Sequence, residues 1–78
     1  MTCVATFFSH FGAIRFKREC DARGTPAALM PVPRSLSSSC GTCVRYEGAL
    51  PDALSDEVEQ VVEETPLGYN VLYLAKQE

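Results

Sequence analysis

The chain has 78 residues, 46 % of them apolar and 22 % charged, with a net charge of −3. That length gives one domain, residues 1–78, with a small core. The composition excludes intrinsic disorder and fibrous chains, no apolar run approaches the roughly 18 residues of a membrane span, and the acidic balance argues against nucleic acid as a partner. The charge is unevenly spread. Residues 1–46 hold six bases and two acids, a net +4, whereas residues 47–78 hold one base, Lys76, and eight acids, a net −7. Two oppositely charged surfaces that attract each other account for this, as does a basic patch facing an anionic partner.

The N-terminal Met1–Phe8 stretch carries no basic leader, and Arg15, Lys17 and Arg18 soon follow. It does not read as a signal peptide, so a cytoplasmic location is expected. In a reducing compartment four cysteines point to packing, metal binding or reactivity rather than to disulfides.

Residues 3–8, Cys-Val-Ala-Thr-Phe-Phe, read as a strand rich in β-formers. Ser9 is a helix N-cap and Gly24 a helix stop, with Ala13, Phe16 and Cys20 at helical spacing between them. Residues 27–32 read as a second strand, placed at a sheet edge because Pro31 and Pro33 remove ladder donors. Ser35–Gly41 is loop chemistry, and residues 42–46 form a third strand. From Pro51 and Asp52 the spacing predicts a second helix, since Leu54, Val58, Val61, Val62 and Thr65 fall on one stripe. Asp56, Glu57, Glu59, Glu63 and Glu64 then form its solvated face, and Pro66 and Gly68 end it. Residues 69–74 alternate as a last strand.

The order strand, helix, strand, strand, helix, strand predicts an α+β fold of ferredoxin-like βαββαβ type, a four-stranded antiparallel sheet with two helices on one face. The first strand is apolar on both faces, and two helices cover only one. A homodimer or a partner protein on the sheet's other face is therefore expected.

Among the reactive side chains, Cys40 has the most suggestive surroundings. A free thiol has a pKa of about 8.5, and nearby cations or backbone N–H groups lower it. Arg34 and Arg45 flank Cys40 in sequence, Ser37, Ser38 and Ser39 supply hydroxyl donors, and the Ser37–Gly41 run is able to fold into a nest of N–H groups around an anion. Gly41 leaves room for a donor to approach the sulfur. Cys40-Gly41-Thr42-Cys43 is also a C-x-x-C pair, but a strand rather than a helix follows it, so no dipole activates it. A zinc site needs about four ligands; Cys3, Cys20 and His10 are scattered, so no metal and no cofactor are expected. Cys3 and Cys20 read as core residues, His10 as a surface histidine at a helix start, and Tyr69 and Tyr73 as strand packing.

The pattern Pro31-x-Pro33-Arg34, then Ser38-Ser39-Cys40-Gly41, then a short strand with Arg45 resembles the small bacterial family described as selenium/sulfur (Se/S) carrier protein-like. The first strand, the helix starting near Ser9-His10 and the Gly24-x-Pro26 turn fit it too, so the resemblance covers nearly the whole chain. It implies that Cys40 accepts sulfur or selenium as a persulfide or selenosulfide, with Gly41 as the motif glycine. The implied partners are a desulfurase-like donor protein and an acceptor protein. In that family the position of Cys43 is usually apolar, so a role for Cys43 rests on the C-x-x-C spacing alone. The candidate reactive residues are Cys40 and Cys43, and the candidate binding residues are Arg34, Ser38, Ser39, Gly41 and Arg45. Such a carrier is not a complete enzyme. Two other readings stand beside it: a protein-interaction or regulatory module without transfer chemistry, and a dithiol redox protein using Cys40 and Cys43.

Overall fold

The computed structural model of the chain describes residues 1–75, so Lys76 lies outside the described residues. Five strands and one helix follow in the order β1 (Thr2–Phe7), α1 (His10–Ala22), β2 (Ala27–Pro31), β3 (Thr42–Glu47), β4 (Val58–Thr65) and β5 (Gly68–Leu74). The strands form one sheet in the order β2-β3-β1-β4-β5, and every neighbouring pair is antiparallel. β2 is an edge strand, which the absent donor of Pro31 tolerates.

The helix starts and stops where its cap residues dictate. Ser9 is extended, and its Oγ accepts the Gly12 N–H at 3.2 Å, satisfying one of the unpaired donors of the first turn. At the other end the Gly24 N–H donates to Asp21 O at 3.1 Å and the Thr25 N–H to Cys20 O at 2.8 Å. Gly24 has φ +73°, the left-handed conformation this closing motif needs.

The second predicted helix does not exist, and the fold is not ferredoxin-like. Residues 51–57 are irregular, and 58–65 form β4, the fourth of five strands. A bulge explains why the pattern misleads. Thr6 pairs with Gln60 and Phe7 with Val58, which leaves Glu59 as an extra residue on β4. Plain alternation puts positions 58, 60 and 62 on one face. With the extra residue, Val58 and Val61 share the helix side while Val62 turns to the other. Apolar positions at i, i+3 and i+4 are the signature of a helix, so a bulged strand with both faces buried imitates one. Pairing with β1 and β5 and the strand preference of valine then decide the outcome. In place of a second helix, Leu50 and Leu54 of the β3–β4 connection pack against the helix-side core.

That core is built from Cys3, Ala5 and Phe7 of β1, Ala13, Phe16 and Cys20 of α1, and the inward residues of β3 and β4. Phe16 sits between Phe7 and Tyr46, with both ring centroids at 5.4 Å and tilted geometry. On the opposite face Val4, Cys43 and Val62 are buried beneath Val32 and Leu36. Thus residues 32–41 fold back over the face that the sequence left bare, and the second apolar row of β1 is covered in part by the chain's own loop.

Candidate functional site: the Cys40 loop

Residues 32–41 leave the end of β2 and return to the start of β3. The Val32 N–H donates to Gly41 O at 3.1 Å and closes the loop, and the Leu36 N–H donates to Pro33 O at 3.0 Å within it. A loop of this length with adjoining ends is a compact surface element held by its own side chains. Here the apolar anchors are Val32 and Leu36.

Its polar half is tied to the sheet by hydrogen bonds. Gln60 Nε2 donates to Ser37 O at 2.9 Å, and Ser38 Oγ donates to Phe7 O at 3.3 Å. The Ser39 N–H reaches both oxygens of Glu59 at 3.2 and 3.3 Å, and Ser39 Oγ donates to Glu59 Oε2 at 2.7 Å. Thr6 Oγ1 donates to Glu59 Oε1 at 3.3 Å. The Cys40 N–H in turn donates to Ser38 Oγ at 3.3 Å. The expected nest of N–H groups does not form: Ser39 alone in the loop gives donors to an anion, and that anion is the carboxylate of Glu59.

Glu59 is 9 % exposed. Burial alone pushes its carboxyl up, but the donors of Ser39 and Thr6 outweigh burial and hold it below the ordinary carboxylate value.

The four cysteines are free and fall into two groups. Cys3, Cys20 and Cys43 are buried, and Cys40 is partly exposed. Burial pushes the thiols of all three buried cysteines up. Cys43 faces the second-face core, and its Sγ donates to Pro31 O at 3.7 Å. The two members of the C-x-x-C pair therefore occupy different environments, one in the loop and one under it.

The flanking arginines do not act as a pair. Arg45 is exposed on β3 and engages Glu64 of β4, Nε donating at 3.1 and 3.2 Å and the guanidinium closing at 2.9 Å. Arg34 is exposed within the Pro33–Leu36 turn. Gly41 has open space where a Cβ would stand, with nothing within 4 Å. His10 is exposed at the start of α1, and its Nδ1 lies 3.0 Å from Thr42 Oγ1, two residues beyond Cys40. Among the described residues no three potential metal ligands gather, and no helix is long and apolar enough to cross a membrane.

Sequence reasoning missed Glu59, Gln60 and Thr6 as the anchors of the loop. Glu59 looks like its acidic neighbours Glu57, Glu63 and Glu64. The one available signal is the adjacent polar pair Glu59-Gln60 between Val58 and Val61, which breaks strand alternation as a bulge does.

Fold and site define a small antiparallel α+β domain that offers a single accessible thiol on a loop stapled across its sheet. The chain belongs to the family described as "Putative Se/S carrier protein-like", which matches residues 2–74. The resemblance seen in the Pro-Arg to Cys-Gly segment thus extends over nearly the whole chain. No curated protein and no solved structure matches it.

Proposed function

We propose that the protein is a sulfur or selenium carrier that loads Cys40 and unloads it onto a partner protein. The observation that carries this reading is the contrast among the thiols, with Cys40 alone accessible in a held loop and the other three buried. The chemistry is thiol exchange. The Cys40 thiolate attacks the outer sulfur of a donor persulfide, the donor S–S bond breaks, and the donor thiolate leaves with that bond's electron pair. The product is Cys40–S–SH or its anion; in the reverse sense an acceptor thiolate attacks its outer sulfur, the S–S bond breaks, and Cys40 leaves as the thiolate. No net oxidation occurs in this exchange.

In this reading Gly41 keeps the approach to Cys40 open, and Ser38 and Ser39 hold the loop. Arg34 is exposed to meet an anionic donor group, whereas Arg45 serves such a group only by leaving Glu64. Cys43 enters transfer only if the loop lifts away from the second-face core. A cytoplasmic setting, where thiols stay reduced, suits the reaction.

A second reading is favoured by one observation. A groove of about 510 Å³ runs between the loop and the β4–β5 hairpin, lined by Leu36, Gln60, Val62, Tyr69 and Val71 among others. An interaction module would seat a partner there and leave Cys40 unmodified.

Intact mass after incubation with a cysteine desulfurase and cysteine separates the two. The carrier reading expects added sulfur that a reductant removes, lost in Cys40→Ser and kept in Cys20→Ser. A Cys40→Ser protein that still gains sulfur, or a wild type that gains none, rejects the carrier and leaves the interaction module.

A further inference from the structure

We propose that Glu59 is the positioning residue of the Cys40 loop, a buried carboxylate whose hydrogen bonds decide where the loop presents Cys40. The loop cannot be held there by regular secondary structure, because residues 32–41 have none. Its serine-rich half also offers little apolar surface to bury. What fixes that half is polar. Ser39, the residue directly before Cys40, gives both its N–H and its hydroxyl to Glu59. Thr6 of β1 holds the same carboxylate from below.

The dependence runs both ways. A buried carboxylate without donors is strongly disfavoured, so Glu59 needs Ser39 in place. Bonds to an ionised acceptor are stronger than neutral ones, so Ser39 is held more firmly than loop serines generally are. The bulge supplies the carboxylate at this point. As the unpaired extra residue between the partners of Thr6 and Phe7, Glu59 escapes ladder alternation at the end of the sheet where the loop crosses. Ser38 adds a second tie by bonding Phe7 O and accepting the Cys40 N–H. The Ser39 donors are consequently spent on an internal anion, and a sulfur anion on Cys40 has to find its stabilisation outside them.

Only the transfer arm of the test rests on the carrier reading. The full chain is compared with Glu59→Ala, Glu59→Gln and Ser39→Ala by three readouts: amide hydrogen exchange at Ser39 and Cys40, alkylation of Cys40 by iodoacetamide, and sulfur loading from a cysteine desulfurase with cysteine. In Glu59→Ala the Ser39 amide should exchange about tenfold faster or more, as expected when bonds to a charged acceptor are lost. Alkylation of Cys40 should be kept or rise, because the thiol stays accessible, while loading falls, because the desulfurase meets a misplaced sulfur. Glu59→Gln keeps an acceptor oxygen for Ser39 and should recover most of the loading. Unreactive Cys3, Cys20 and Cys43 show that a variant is folded; if Glu59→Ala fails that check, Ser39→Ala decides, with the same split expected at smaller size. Unchanged amide exchange overturns the proposal, as does a parallel fall in alkylation and loading. Should the wild type take no sulfur, the carrier reading fails, and exchange and alkylation still decide whether Glu59 holds the loop.

Discussion

The sharpest consequence of the structure is a large spread in cysteine reactivity. Cys3, Cys20 and Cys43 have no exposed surface, so iodoacetamide reaches them only after the protein opens. Cys3 and Cys43 lie on β1 and β3, strands with a neighbour on each side, and exposing them requires nearly global unfolding. For a small domain of about 5 kcal/mol stability, at about 1.4 kcal/mol per tenfold, that is a protection of three to four orders of magnitude. Burial pushes their thiols up as well, which thins the thiolate further. Cys20 lies in the last turn of α1, and fraying of a helix end costs less than global opening, so it should react second, between Cys40 and the strand pair. Under native conditions near neutral pH, mass spectrometry with peptide mapping should show one rapid carbamidomethyl group, on Cys40. Cys40→Ser should show none on the same timescale, and all remaining thiols should react in denaturant. If Cys43 is alkylated alongside Cys40 at a similar rate, the 32–41 loop does not shield the second face. The dithiol reading would then regain ground.

Acid should loosen the loop. Because the donors outweigh burial and hold the Glu59 carboxyl below its ordinary value, its contribution to stability is present above the unfolded carboxylate range and is lost as pH falls through the folded value. Urea melts at about pH 7 and about pH 3 should show that loss, with a smaller fall in Glu59→Gln. Phe16→Ala removes a buried ring that touches both Phe7 and Tyr46. It should cost about 3–5 kcal/mol, more than half of a stability of about 5 kcal/mol, so a urea melt followed by circular dichroism should show its midpoint lowered by more than half. Gly41→Ala adds a methyl into open space, so its thermal midpoint should match the wild type while sulfur loading by a desulfurase falls; a melting point lowered by several degrees would show that the glycine serves the fold instead.

Local signals in the chain were read correctly wherever the deciding interaction is itself local. Ser9 and Gly24 bound α1 because a cap hydroxyl and a left-handed glycine act within one turn. Pro31 marks an edge because a missing N–H is a property of the residue. The loop over Ser35–Gly41 was legible for the same reason, since hydroxyls, glycine and proline shape the backbone within a few residues. Segment 51–65 was not, because its apolar spacing fits a helix and a bulged strand equally. The choice was made by pairing with β5, which follows in a hairpin, and with β1, which is distant in sequence. Nor did the sequence show which charged group stands by Cys40. Arg45 is five residues from it along the chain but is turned to Glu64. Glu59 is nineteen residues away and bonds the neighbouring Ser39, because a β-bulge and a sheet crossing place a buried carboxylate under the loop, where burial demands donors and the serines supply them.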